Sequence, residues 1–247
     1  MSILQNILFL LLSFLAEILG TVGGFGSSVF FVPFANFFFP FQTVLGLTAI
    51  FHLSSNISKI TLFKDGLDKR LLLYIGLPSV LFVILGGYFS KMLSTAYLEI
   101  GLAVLLISMS MLFLLQPQLE VSKNSFATIT GGALSGFTAG LLGTGGAIRG
   151  LTMAAFNMEK SAFIATSAFI DFGIDFTRTI VYFFNGYIRE DLLIYIPFLI
   201  IIGFTGTFVG KRLLSKISQD NFKKISLFLI LMIGLVTLIK SQLLQSD

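Results

Sequence analysis

Long apolar runs, separated by short polar stretches, dominate the chain. A helix that crosses lipid needs about 20 mostly apolar residues. Six stretches fit that length, 43–63, 71–90, 97–115, 162–184, 192–210 and 224–243, and each predicts a transmembrane helix. Two further regions, 3–39 and 126–156, are too long for one crossing. Glycines interrupt both midway, as Gly20-Thr-Val-Gly-Gly-Phe-Gly26 and Gly140-Leu-Leu-Gly-Thr-Gly-Gly146. The segments after the glycines, about 13 and 10 residues, are short for spanning helices. The pattern therefore predicts hairpins of half-helices meeting near mid-depth, with two short crossings per region as the alternative. Non-helical backbone at that depth is tolerated only where protein buries it or it lines a wet cavity.

The two halves resemble each other at an offset of 119–121 residues. Gly23 and Gly26 align with Gly143 and Gly146, Gly66 with Gly186, Pro78 with Pro197, Gly86 with Gly206, Lys91 with Lys211 and Lys59 with Arg178. Residues 1–120 and 121–247 thus read as two membrane repeats forming one transport unit. With three full crossings in each, the second repeat is inverted relative to the first. Inverted repeats with interrupted helices in matching places are a signature of secondary transporters. The expected fold is an all-α polytopic membrane protein of two inverted repeats, each a glycine-broken hairpin plus three transmembrane helices.

Composition agrees. Of 247 residues, 55% are hydrophobic and 11% charged, against roughly 25% charged in soluble domains. With no cysteine and a single histidine, His52, neither a disulfide nor a multi-histidine metal site can be built, and no cofactor is expected. The net charge of +4 is read as loop charge and not as a nucleic-acid surface. The first apolar segment has no basic residue before it and no small-residue exit, so it reads as mature structure and not as a leader.

If each glycine-broken region enters and leaves on one side, Lys64, Lys69, Arg70, Lys123, Lys160, Lys211, Arg212, Lys216, Lys223 and Lys224 share one face and Lys91, Arg189 and Lys240 the other, ten against three. If each crosses once, the split is six against seven. The positive-inside rule favours the first arrangement, with both termini outside.

Four features can carry chemistry. Gly23, Gly24 and Gly26 precede a half-helix beginning near Ser27 and Ser28; Gly143, Gly145 and Gly146 precede another. Helix N-termini offer unpaired N–H donors and the positive end of the dipole, so the two breaks make an anion site, to which Ser27, Ser28 and Thr144 add hydroxyls. Tight packing of small residues is the competing reading. Secondly, Thr48, His52, Asn56 and Lys59 lie on one helical face, with Ser167, Asp171, Asp175 and Arg178 at the matching positions of the second repeat. Ionisable residues inside a membrane mark pathways; alternatively Lys59 and Arg178 snorkel at helix ends, and Asp171 or Asp175 neutralises Arg178. Thirdly, Arg149 follows the second break and suits bidentate oxoanion binding, unless an aspartate claims it. Finally, Glu17 before the first break is a candidate proton carrier, as is His52, although a lone histidine is more often a satisfied core residue.

With both breaks placed, Gly20-Thr-Val-Gly-Gly-Phe-Gly-Ser-Ser and Gly136-Phe-Thr-Ala-Gly-Leu-Leu-Gly-Thr-Gly-Gly, together with Leu47-Thr-Ala and Ala165-Thr-Ser-Ala, resemble the TauE/SafE family of membrane anion exporters. The resemblance implies export of sulfite or an organosulfonate such as sulfoacetate, across a bacterial inner membrane. An anion channel, or a carrier for another small anion, is the alternative. An intramembrane enzyme is disfavoured because no nucleophile–base motif accompanies Asp171 and Asp175. The expected partners are a small anion, the bilayer and, as an assembly, a homodimer.

Overall fold

The computed structural model describes residues 1–23, 26–63, 66–117, 119, 121–214, 216 and 219–243. These form eleven α-helices and no strand. The first half holds α1 (Ile3–Gly23), α2 (Ser28–Ala35), α3 (Phe41–Leu62), α4 (Lys69–Leu71), α5 (Leu77–Met92) and α6 (Thr95–Leu115). A π turn at Leu72–Gly76 joins α4 to α5 without a break. The second half holds α7 (Ser125–Leu142), α8 (Gly146–Ala154), α9 (Lys160–Phe184), α10 (Ile196–Leu214) and α11 (Gln219–Leu243). Side chains start three of these helices: Ser2 accepts from the amide of Gln5, Asp68 from those of Arg70 and Leu71, and Asn124 from that of Ala127, the usual way to satisfy orphan N–H groups.

Among the described residues, six helices are long and apolar enough to cross a membrane: Ile3–Gly23, Lys69–Met92, Thr95–Leu115, Ser125–Leu142, Leu192–Leu214 and Lys224–Gln242. This set differs from the sequence expectation in two ways. Firstly, the broken regions are not pairs of half-helices. Each has one long arm, α1 of 21 and α7 of 18 residues, and one short arm, α2 of 8 and α8 of 9. The interior glycines of α7 do not stop it, because Gly132, Gly136 and Gly140 lie against the backbone of the π turn and α5 at Ile75, Ser79 and Val83. Packing there replaces the stability that glycine withdraws from a helix. Secondly, α3 and α9, at 22 and 25 residues, have the length to span but are outside the apolar set. Their polar stripes lower their hydropathy, and they pack on each other, α3 buried along most of its length and α9 with Phe169, Phe176 and Phe183 exposed.

The packing is reciprocal between halves. Helix α5 packs on α7, and α10 on α1; α3 meets α9, and α6 meets α11. Contacts also sort the loops into two ends. At one, Phe9 near the start of α1 touches Phe38 and Phe39 beyond α2, Tyr195 donates to Asn6, Thr95 to Gln42, and Lys240 to the carbonyl of Asn36. At the other, Lys211 donates to the Leu62 carbonyl, the Asp68 amide donates to Thr166, and Arg70, Lys123 and Phe156 line one cleft. Each long-arm and short-arm pair therefore returns to the end where it began.

Candidate functional site

The first break is shaped by crowding. A Cβ at Gly20 would fall on the backbone of Ser27, so only glycine lets α1 lie against the start of α2. Gly26 has φ +82, a left-handed conformation that costs other residues about 1–2 kcal/mol. Its Cβ side is open: the nearest atoms are Nη2 of Arg149 at 3.7 Å and Oγ of Ser28 at 3.8 Å. In the second break Gly143, at φ +78, ends α7 by returning its amide to the Ala139 carbonyl, a left-handed cap. Gly145 sits against the Ser135 carbonyl, and Ser135 Oγ donates to the Gly145 carbonyl at 2.9 Å. The breaks touch: Ser28 Oγ donates to Thr144 Oγ1 at 3.1 Å. The N-termini of α2 and α8, beginning at Ser28 and Gly146, are thereby brought side by side, and their first amides lack helical partners.

Three buried ion pairs surround this junction. Glu17, fully buried on α1, meets Lys59 of α3 at 2.8 Å. Its Oε1 also accepts from Thr21 at 3.1 Å, Ser55 at 2.6 Å and Thr207 at 2.9 Å, while Oε2 accepts from Ser27 at 2.6 Å. Lys59 additionally donates to Ser55 at 2.7 Å. Neither Lys59 nor Arg178 snorkels. Arg178 is buried, pairs with Asp175 at 2.7 Å and donates to the carbonyls of Gly143 at 2.8 Å and Ala139 at 3.3 Å, leaving its Nε without a partner. Arg149 is equally buried: it pairs with Asp171, and its Nε donates to Ser167 at 3.0 Å. In hydrocarbon an unpaired charge would be expensive, so each cation having its own carboxylate is what allows the cluster to exist.

The polar stripes meet between the pairs. Asn56 donates to Asp175 Oδ2 at 2.6 Å, and His52 stands with Nε2 3.2 Å from Ser27 Oγ and Nδ1 3.9 Å from Asp175 Oδ2. Thr48 turns away and bonds the Val44 carbonyl of its own helix. Gly23 is the last residue of α1, and Gly24 lies outside the described residues. A small cleft lies beside the junction, lined by Gly20, Thr21, Gly26, Lys59, Ser167 and Asp171. Of the three carboxylates, the Asp171 side chain is 18% exposed, against 3% for Asp175 and 0% for Glu17. Asp171 is therefore the carboxylate that borders open space.

Sequence reasoning passed over several members of the cluster. Ser55 stands one turn before Lys59 and was legible as the neighbour of the polar stripe. Thr207 had a fainter signal: it sits among Gly203, Gly206 and Gly210 of α10, the last two of which abut Glu17 and Thr21. Tyr182, whose hydroxyl donates to the Gly140 carbonyl at 2.7 Å, lies one turn beyond Arg178. Ser135 carried no signal that sequence alone could separate from an ordinary helical serine.

A family model described as "Sulfite exporter TauE/SafE" matches residues 9–237. No curated protein and no solved structure matches the chain. The match covers nearly all of it, and the chain belongs to the TauE/SafE family, a family of multi-pass membrane transporters.

Proposed function

We propose that this member of the TauE/SafE family is an alternating-access carrier that exports a small sulfur oxoanion, sulfite or an organosulfonate such as sulfoacetate, from a bacterial cytoplasm. The observation that carries the reading is the position of Arg149. Its Nη2 stands over the Cβ side of Gly26, beside Ser28, where the two short helices begin and the cleft reaches Gly26. An oxoanion bound there takes charge-assisted hydrogen bonds from the guanidinium, the first amides of α2 and α8, and the hydroxyls of Ser28 and Thr144. It does so by replacing Asp171 at Arg149, the one carboxylate of the cluster that borders the cleft. Ser27 and His52, also expected at the anion, face Glu17 and Asp175 instead.

The reciprocal packing of the two halves supports the inverted-repeat reading. Exchanging the conformations of two such halves converts access from one side into access from the other. The end that carries Lys69, Arg70, Lys123, Lys211 and Arg212 is assigned to the cytoplasm by its charge, which puts both termini outside. The cleft beside Gly26 is lined also by Phe163 and Ile164, near the start of α9 at that end, which supports access from the cytoplasmic side. A potential negative inside favours exit of any net negative charge on the loaded carrier, by about 2.3 kcal/mol per charge per 100 mV.

The test is direct binding of sulfite, sulfate, thiosulfate, sulfoacetate and taurine to the purified protein, with Arg149→Ala beside it. One sulfur oxoanion should bind, and the variant should lose at least about 30-fold in affinity, as truncating one partner of a buried charge-assisted pair does. Equal affinity in both proteins removes Arg149 from the site. Counterflow in proteoliposomes that saturates with substrate marks a carrier; unitary currents would make the protein a channel.

A further inference from the structure

Two of the three ion pairs are joined by a bridge that anion binding does not require. Ser27 Oγ lies between Glu17 Oε2, at 2.6 Å, and His52 Nε2, at 3.2 Å, and the other ring nitrogen of His52 faces Asp175 Oδ2 at 3.9 Å. All four residues are buried. Counting hydrogens fixes the arrangement. A serine hydroxyl has one proton. With Glu17 ionised, that proton goes to Oε2, so His52 must donate from Nε2 and its Nδ1 carries a bare lone pair toward Asp175. With Glu17 protonated, every bond in the row reverses: Glu17 donates to Ser27, Ser27 donates to Nε2, and Nδ1–H points at Asp175.

We infer that Glu17, Ser27, His52 and Asp175 form a proton relay between the two halves, and that the protein moves a proton together with its anion. This rests on the carrier reading above and adds to it. One proton passed from Asp175 binds Nδ1 as the 3.9 Å gap closes; the Nε2–H bond breaks as Ser27 Oγ takes that proton; the former Ser27 proton forms an O–H bond at Glu17 Oε2. The imidazole ends neutral with its tautomer exchanged, Ser27 ends unchanged, and Glu17 ends as the carboxylic acid. The charged groups around the row are Lys59 on the helix of His52, Arg178 and Asp171 on α9, and Arg149 on α8; α10 contributes only the Thr207 hydroxyl to Glu17.

Coupling follows from Lys59. It is the counter-charge of Glu17 and also lines the cleft. Once Glu17 is protonated, Lys59 is left with an unbalanced positive charge beside Gly26 and Arg149, and the cluster attracts the anion. Protonation of Glu17 therefore strengthens anion binding, and a bound anion favours the proton. A monoanion then crosses with no net charge, and a dianion with one.

The test uses purified full-length protein in proteoliposomes enclosing a fluorescent pH indicator, with sulfoacetate as the probe. Anion flux should carry about one proton per anion. That ratio should fall toward zero in Ser27→Ala and return in Ser27→Thr, which restores the hydroxyl. Anion flux without protons in the unmodified protein overturns the relay and leaves the carrier reading standing. Absence of flux for every sulfur oxoanion sinks the carrier reading, and infrared spectroscopy then decides the relay by itself. Acidification should bring up a protonated-carboxyl band that Glu17→Gln removes and Ser27→Ala displaces. A band unaffected by Glu17→Gln overturns the relay.

Discussion

The two glycine breaks occupy matching positions, yet they are held by opposite means. At the first, a carboxylate gathers donors: Glu17 takes an ammonium and four hydroxyls from α1, α3, α10 and Ser27 just before α2. At the second, α7 supplies no acid, and a guanidinium gathers acceptors: Arg178 takes the carbonyls of Ala139 and Gly143 and the carboxylate of Asp175. The negative end of the α7 dipole stands in for the missing acid. Matching backbones can thus be stabilised by complementary electrostatics, which divides the labour: one break is rich in exchangeable protons, the other in fixed positive charge.

The sharpest way to break this contrast is Glu17→Ala. It strands Lys59 in the interior and leaves several hydroxyls without an acceptor, so unfolding in detergent should show a loss of about 3–5 kcal/mol. Adding Lys59→Ala should recover much of it, whereas a double variant as unstable as the single one would mean that the hydroxyl bonds and not the charge hold the first break. At the second break Arg178→Lys keeps the charge but loses the fork. About 2–3 kcal/mol should go with the charge-assisted bonds that one ammonium cannot reproduce; equal stability would show that charge alone suffices there.

Asp171→Asn sharpens the comparison from the ligand's side. It removes the carboxylate that the proposed anion displaces from Arg149, so on that proposal oxoanion affinity should rise about tenfold, or ~1.4 kcal/mol, in an equilibrium binding measurement; weaker binding would place Asp171 among the groups that hold the ligand. The smallest effect is expected for Gly26→Ala. Its Cβ has room, so only left-handed strain remains, about 1 kcal/mol in unfolding. Gly145→Ala, with its Cβ on the Ser135 carbonyl, should cost visibly more, and a reversed order would show that the first break is the crowded one.

Much of this was legible in the chain. Apolar runs at 71–90, 97–115, 192–210 and 224–243 gave four of the six helices able to span, and the four-residue spacing of Thr48, His52 and Asn56 gave a buried face of α3. The paired glycines located the junction because φ +82 at Gly26 and φ +78 at Gly143 admit few other residues. The arm lengths were misjudged, since a glycine that packs against a neighbouring backbone and one that ends a helix look alike in sequence. Gly140 is of the first kind and Gly143 of the second. Pairing was the other hidden part. Arg149 had two aspartates within plausible reach, and only the packing of α8 on α9 assigns it Asp171. Thr207 carried only the faint signal of its neighbouring glycines, because a threonine in an apolar helix usually bonds its own backbone, as Thr205 does, and nothing local reveals that a carboxylate 190 residues away stands opposite it.

The three cations and three carboxylates of the junction have a consequence for energetics. They sum to zero, and His52 adds nothing while neutral. In the proposed cycle, an exchange of conformations without cargo displaces no net charge from this cluster through the membrane field. The resetting stroke of the cycle is then electrically silent, and its rate should be the same in an energised and a depolarised vesicle.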